Sequence, residues 1–487
     1  MAASQYFKRE AIFLNGSWRQ ANSNKSIDVF NPANGQKIGY VPNAGEEETR
    51  EVVKAAKLAF EDFRKTTALE RANILRKLHD EIMQNQEALA ELLTLEQGKP
   101  LAEARAEISI AASYLLWFAE EARRVFGDLI PSPHAGQKLM VSKQPIGVVA
   151  AITPWNFPFS MIARKVGPAI AAGCSVIVKP SELTPFSGLA WGVIAEDIGL
   201  PNGVINIITG EAEAIGHVLT RHLDVRKLTF TGSTRVGKQL LEKSASTVKK
   251  ISMELGGNAP FIVFEDADLD KAVEGAMAAK YRNSGQTCIC TNRFYVHASI
   301  YDDFVENFTK ETKKLKVGNG FDLDITQGPL INEAAIDKAK RFVEDAKQKG
   351  GVILTGGKPY LHSLETGYFF EPTVIANATK DMLFSKEEIF APIAPIYKFE
   401  SEAEVIALAN DTDYGLAAYF YTQDLARSFR VSDALDYGMI GVNAAMLTKV
   451  EAPFGGVKAS GLGKEGGSQG IDEYLESKYI CLGGLEA

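Results

Sequence analysis

Apolar positions in the first third of the chain recur with the spacing of a helix face. Val52, Val53, Ala56, Phe60 and Phe63 form one stripe, and Ile74, Leu75, Leu78 and Ile82 form another, with charged residues between them. A third helix is expected near 102–122, ending at Arg123-Arg124 before Gly127. Beyond about residue 140 the period changes. Short β-branched runs at 146–153, 175–178, 204–208 and 227–230 alternate with helix-like segments at 158–171, 185–198, 211–222 and 234–245. That alternation predicts a parallel, doubly wound sheet, in which ligands gather at the C-terminal ends of the strands. The loops at those ends are Thr153-Pro154-Trp155-Asn156, Lys179-Pro180-Ser181-Glu182 and Thr231-Gly232-Ser233, and a nucleotide is expected there. A second α/β unit begins near 256. Its first strand is predicted at 259–264, and its later part holds an apolar run at 389–399 and a glycine-rich tail at 455–467. With no repeat or low-complexity linker between them, the units are expected to share a large interface.

Composition narrows the class. At 487 residues the chain exceeds one ordinary core, and 46% hydrophobic with 23% charged residues describes a globular protein. A formal net charge of −8 disfavours nucleic acid and anionic membrane as partners, so an anionic substrate has to be met by local cations. The N-terminus lacks the apolar core of a signal peptide and no run reaches membrane-spanning length, which predicts a cytoplasmic location. Four cysteines are too few for a disulfide scaffold. The histidines, at 79, 134, 217, 222, 297 and 362, make no ligand spacing with cysteines or carboxylates, and no metal site is expected.

Two residues suggest chemistry. Cys288, in Ser-Gly-Gln-Thr-Cys-Ile-Cys, offers a thiol in a loop after a helix-like segment; Glu254, between Met253 and Leu255 and ahead of two glycines, offers a carboxylate whose burial would raise its pKa. Together a thiol and a carboxylate can form a thioester and activate the water that hydrolyses it. Cys290 is too near Cys288 for an unstrained structural disulfide but is a candidate for a reversible oxidised pair. Two other motifs carry less. Gly461, Gly463 and Gly466 have the dinucleotide-fingerprint spacing, yet no βαβ unit fits around them, and a turn-rich loop is expected. The run from Gly232 to Gln239 misses a Walker A loop at its last position, where Gln239 is a poor magnesium ligand; it reads as a strand-to-helix turn whose helix N-terminus can cradle a phosphate.

The chain resembles the aldehyde dehydrogenase superfamily over nearly its whole length. Seven ordered motifs carry the resemblance: TPWNFP at 153–158, KPSE at 179–182, FTGST at 230–234, MELGGN at 253–258, GQTC at 285–288, EEIF at 387–390 and PFGG at 453–456. The resemblance implies that Cys288 attacks an aldehyde, that Asn156 and the Cys288 backbone N–H form the oxyanion hole, and that Glu254 activates the hydrolytic water. It implies NAD or NADP held by Thr153, Pro154, Trp155, Lys179, Ser181, Glu182, Gly232, Ser233, Glu388 and Phe390. Glu182 favours a free ribose 2′-hydroxyl, whereas Lys179 and Ser181 can receive a 2′-phosphate if Glu182 turns away. Ala391 stands where the family usually has glycine.

Arg164 and Arg282 are similar to the arginine pair of succinate-semialdehyde dehydrogenases, which also resemble the run from 254 to 276; the pairing implies a carboxylate clamp, with Thr448 as an added hydroxyl where serine is more usual. The expected reaction is NAD(P)-dependent oxidation of succinate semialdehyde to succinate. Glutarate semialdehyde or another short ω-carboxy aldehyde is the alternative, because one methylene carries little discrimination. A coenzyme A acylating enzyme is disfavoured by Glu254, and a silent binding or structural relative by the presence of thiol, base and amide. The domains implied are a cofactor domain at 1–125 and 145–253, a catalytic domain at 254–460, and a small β oligomerisation element at 126–144 and 461–487 that makes a homodimer or homotetramer.

Overall fold

The computed structural model describes residues 2–360 and 367–485, so His362 and the last two residues of the tail lie outside it. The helices start where local chemistry predicts. Glu46, Glu47 and Glu48 occupy the first turn of Glu46–Phe63, and Thr67 caps Ala68–Gln84 through a capping box with Glu70. Their apolar stripes are buried except at Ile74, which lies at the stripe's edge. Helix Leu101–Glu121 lies where the third was expected. Between these runs Gln86–Gln97, a helix the sequence reading did not single out, and Gly98 ends it at φ 91°.

Five parallel strands form the centre of an eight-stranded sheet: in spatial order Lys250–Glu254, Val225–Thr231, Val148–Ile152, Ser175–Lys179 and Ile205–Ile207. Alternate residues feed two cores. Val149, Ala151, Val176 and Val178 face one side, and Val148, Ala150 and Ile177 the other, so these strands read as unbroken apolar runs. The intervening helices are Ser160–Ala172, Pro185–Asp197, Ala212–Arg221 and Thr234–Ser244, as the alternation predicts. Gly461–Leu462 pairs antiparallel with Met253 and Glu254 at one edge, which makes the glycine-rich tail part of this sheet.

A second, seven-stranded sheet runs Val352–Thr355, Thr373–Ala376, Ile393–Phe399, Thr291–His297, Ala259–Val263, Ala417–Tyr421 and Met439–Val442, parallel except at the first pair. The apolar run at 389–399 becomes strand only from Ile393, because Phe390 adopts a left-handed φ of 55°. A three-stranded antiparallel sheet joins Asp128–Ile130, Lys138–Pro145 and the C-terminal Leu475–Leu482. Among the described residues no helix is long and apolar enough to cross a membrane.

The chain passes from the first large sheet to the second in the four residues 255–258. Glu254 is the last residue of its strand, and Cys288 lies just before Thr291–His297 in the other sheet. The two groups singled out by chemistry therefore come from opposite sides of one seam.

Candidate active site

The loop that carries Cys288 is built from an unusual backbone. Asn283, Ser284 and Gly285 take left-handed φ values of 51°, 53° and 76° in succession, and side chains hold the first two there. Glu103 Oε2 accepts the Asn283 backbone N–H at 2.9 Å, and Asn283 Nδ2 donates to the carbonyls of Asn156 at 3.0 Å and Gln286 at 3.2 Å. Ser284 Oγ donates to the Gly328 carbonyl at 2.8 Å. At 285 only glycine fits, since a Cβ would stand 2.4 Å from the Ala391 carbonyl oxygen. Ala391 itself is not left-handed; Phe390 is, which explains why alanine is accommodated after it.

Cys288 is partly exposed at the junction of two cavities. Burial pushes its thiol up to about 12; Arg164 and Arg282 oppose the rise, and Glu388 and Glu254 add to it. The first cavity holds the whole predicted substrate set, Arg164, Arg282 and Thr448, together with Tyr114, Phe157 and Phe454. The second is lined by Pro154, Trp155, Asn156, Gly232, Ser233, Glu254, Glu388 and Phe390. Thr153, Lys179, Ser181 and Glu182 are not in that lining. They occupy the same strand edge, where Thr153 N–H donates to the Lys179 carbonyl at 3.1 Å and Lys179 Nζ pairs with Glu182 at 2.7 Å.

Glu254 is buried, and among the described residues neither of its carboxylate oxygens has a hydrogen-bond partner. Burial raises it well above the ordinary carboxylate range and Glu465 adds to the shift, while Arg164 and Lys165 oppose it. Glu465, also buried, is instead held low by Lys165 and Arg164 against the effect of burial. Of these two carboxyls Glu254 is the one whose charged form the surroundings disfavour. Gly455 makes room for it, because a Cβ there would stand 2.8 Å from Glu254 Oε1.

The arginines differ. Arg164 is buried over the Phe454 ring at 3.8 Å with Nε 3.0 Å from Glu465, and its Nη2 has no partner. Arg282 lies 4.9 Å over the Phe157 ring and, among the described residues, makes no ion pair. Asn156 Nδ2 donates to the Gln286 carbonyl at 3.0 Å, leaving one amide hydrogen for the cavity.

The seam, the two cavities and the shared thiol can be compared with known proteins. The aldehyde dehydrogenase family pattern matches residues 18–480. The chain belongs to the aldehyde dehydrogenase family. It is 54% identical over 480 residues to an NADP+-dependent succinate-semialdehyde dehydrogenase of Escherichia coli, covering 99% of both chains. It is 53% identical to a glutarate-semialdehyde dehydrogenase of Pseudomonas aeruginosa, covering 98% of each. The crystal structure of succinate-semialdehyde dehydrogenase from Burkholderia pseudomallei superposes with a TM-score of 0.96 at 53% identity, again over 98% of each chain.

Several residues of this aldehyde dehydrogenase site were not anticipated. Asn332, Ala335 and Lys338 bring the helix Glu333–Gln348 to the second cavity, Glu103 and Glu107 line the first, and Lys99 and Asn283 pack behind Asn156. The one sequence signal for Lys99 is its place between Gly98 and Pro100, in a linker too short to carry a charge far from the core. Cys290 lines neither cavity; its thiol is buried against the carbonyls of Lys280 and Thr291. The Gly232 run is a strand-to-helix turn in which Ser233 caps Thr234–Ser244. Among the described residues no cluster suits a metal ion.

Proposed function

We propose that this chain oxidises succinate semialdehyde to succinate, using NADP or NAD. The observation that carries the reading is one cavity with Cys288 in its wall and two guanidinium groups, Arg282 without an ion pair and Arg164 with a free buried Nη2, lining the same space. A short aldehyde with a terminal carboxylate matches that lining, with Thr448 as a further hydrogen-bond donor. The named activities of the Escherichia coli and Pseudomonas aeruginosa relatives support the substrate class and keep glutarate semialdehyde as the second reading.

The second cavity fits a nicotinamide dinucleotide. Helix Thr234–Ser244 opens its N-terminus toward it at Ser233, whereas the Gly232 N–H is already given to the Glu254 carbonyl at 3.0 Å. Thr231 presents a buried hydroxyl without a partner among the described residues, and burial raises Glu388 to about 7 in the same lining as Phe390. A nicotinamide dinucleotide held there by Pro154, Trp155, Ser233, Glu388 and Phe390 would supply a hydride acceptor for oxidation of the Cys288 adduct. The chain's own residues do the rest. Cys288 must lose its proton to attack, and Arg164 and Arg282 favour the thiolate. The free amide hydrogen of Asn156 and the Cys288 backbone N–H stabilise the tetrahedral oxyanion. Glu254, once deprotonated, takes a proton from the water that releases the acid.

A cytoplasmic setting is part of this reading, since a reducing compartment keeps the Cys288 thiol free to react. Exposed Phe126, Leu129, Ile130, Tyr479 and Leu482 on or beside the three-stranded sheet support its use for self-association into a dimer or tetramer. The test of the function is reduced-cofactor formation from NAD+ and NADP+ with succinate semialdehyde, glutarate semialdehyde and butanal, with the acid product identified. Succinate semialdehyde is expected to give the highest kcat/KM; equal turnover of butanal sinks the carboxylate clamp, and no turnover of any aldehyde sinks the reading.

A further inference from the structure

Behind Asn156 lies a buried ion pair that the reaction as derived does not use. Lys99 Nζ stands 2.6 Å from Glu107 Oε2, and both side chains are withdrawn from solvent. The same Nζ donates to the Asn156 carbonyl at 2.8 Å and sits 4.0 Å from the Phe157 ring centroid. Glu107 divides its oxygens. Oε2 faces Lys99, while Oε1 accepts the backbone N–H groups of Phe159 at 3.0 Å and Ser160 at 3.1 Å, at the start of helix Ser160–Ala172, where no side chain of the helix's own N-cap does so.

One pair contributed by Lys99 and by helix Leu101–Glu121 thus grips loop 153–159 at two points, the Asn156 carbonyl and the first turn after it. Asn283, from the nucleophile loop, donates to that same Asn156 carbonyl at 3.0 Å. The Asn156 side chain in turn donates to the Gln286 carbonyl at 3.0 Å. Burying two charges is costly, and a buried ion pair is weak as a source of stability. Its geometry here serves orientation. With the carbonyl clamped by an ammonium and an amide, the Asn156–Phe157 peptide cannot rotate, and the side chain is held with one hydrogen on Gln286 and the other toward the cavity that contains Cys288.

We infer that Lys99, braced by Glu107, is a positioning residue that acts through Asn156 to set the oxyanion donor. The inference rests on the oxyanion role given to Asn156 above. It predicts a loss in the chemical step without a loss of cofactor binding, because neither Lys99 nor Glu107 lines the cofactor cavity; Glu107 does line the substrate cavity, so cofactor affinity is the control. A small misplacement of a reacting or stabilising group costs on the order of a hundredfold in rate.

The test is a double-mutant cycle on the full-length enzyme, read as the pre-steady-state burst of reduced cofactor. Lys99→Met combined with Glu107→Gln removes both charges of the pair together, leaves Arg282 as the cation facing Glu103, and keeps a glutamine oxygen that can still accept from Phe159 and Ser160. The expected result is a burst rate at saturating substrate lowered about ten- to a hundredfold, with cofactor Kd within twofold of the parent. In an Asn156→Ala background the same pair of changes should have no further effect, since the donor it positions is gone. Equal losses in both backgrounds would mark a general structural role and overturn the inference. A burst unchanged by the Lys99 and Glu107 changes but slowed by Asn156→Ala also overturns it, while leaving the role of Asn156 intact. If Asn156→Ala alone leaves the burst unchanged, the oxyanion reading itself fails. Lys99→Arg covers the case in which the paired variant does not fold: it keeps the cation but moves the donor, and a burst equal to the parent's would overturn the inference.

Discussion

Arg164 Nε stands 3.0 Å from Glu465 Oε2, so one of the two arginines of the substrate cavity has a carboxylate beside it before any substrate arrives. Arg282 makes no ion pair among the described residues, although it is near enough to Glu103 in the same lining to favour that carboxylate. The two should therefore respond differently to replacement. Arg282→Met should cost about 2 kcal/mol in the binding of a carboxylated aldehyde, roughly thirtyfold in kcat/KM, and leave butanal nearly unaffected. Arg164→Met should also lower thermal stability, because it withdraws one of two cations from buried Glu465; Lys165 stays paired with that carboxylate, so the loss should be smaller than the about 3–5 kcal/mol of a fully broken buried pair. Steady-state kinetics on the two aldehydes and thermal unfolding of both variants check this.

The raised pKa of Glu254 has a definite sign in kinetics. A general base works only when deprotonated, so hydrolysis should slow as pH falls through the Glu254 pKa, at a pH above the usual carboxylate range. Glu254→Gln should lower steady-state turnover by about 10²- to 10⁴-fold and abolish that acid limb, while a single-turnover burst of reduced cofactor persists. Stopped-flow absorbance across pH measures both; an acid limb retained in Glu254→Gln would remove Glu254 as its source.

Gly257 lies against the nucleophile loop, where an added Cβ would stand 2.4 Å from the Cys288 carbonyl oxygen. Gly257→Ala must displace that backbone, at about 1–3 kcal/mol of strain. Slower alkylation of Cys288 by iodoacetamide and a slower burst are expected, with circular dichroism unchanged.

Glu182 pairs with Lys179 at 2.7 Å and is partly exposed, with 43% of its side chain open to solvent. Removing its charge frees Lys179 for a 2′-phosphate. Glu182→Gln should raise the kcat/KM ratio of NADP+ over NAD+ by about fivefold, the effect of roughly 1 kcal/mol between charges in a solvent-screened setting. Initial rates with each cofactor decide it.

The cofactor sheet was legible because its strands are buried on both faces and read as short β-branched runs, set off from helices of which Ala212–Arg221 and Thr234–Ser244 show one buried stripe while Ser160–Ala172 and Pro185–Asp197 are buried almost throughout. Helix Gln86–Gln97 was not, since Ala88, Leu89, Ala90, Leu92 and Leu93 are buried around much of its girth and leave no single stripe. The motif residues Cys288, Glu254 and Asn156, and the arginine pair with Thr448, were all legible from the sequence and line the two adjoining cavities. Lys99, Glu107 and Glu465 were invisible for a physical reason. Charged residues normally lie at the surface, and what permits their burial is a partner supplied by the fold: Lys165 and Glu465 meet across 300 residues of chain. The environment of Cys290 was equally unreadable, because its distance from the cavities depends on how the loop turns after Cys288.

Glu254 ends a strand of one large sheet and Cys288 precedes a strand of the other, with only residues 255–258 carrying the chain across. A chimaera taking each sheet from a different relative would inherit two intact cores and a complete set of reactive groups, yet its turnover would report how well the halves register. For protein engineering, the seam is the part to be transplanted whole.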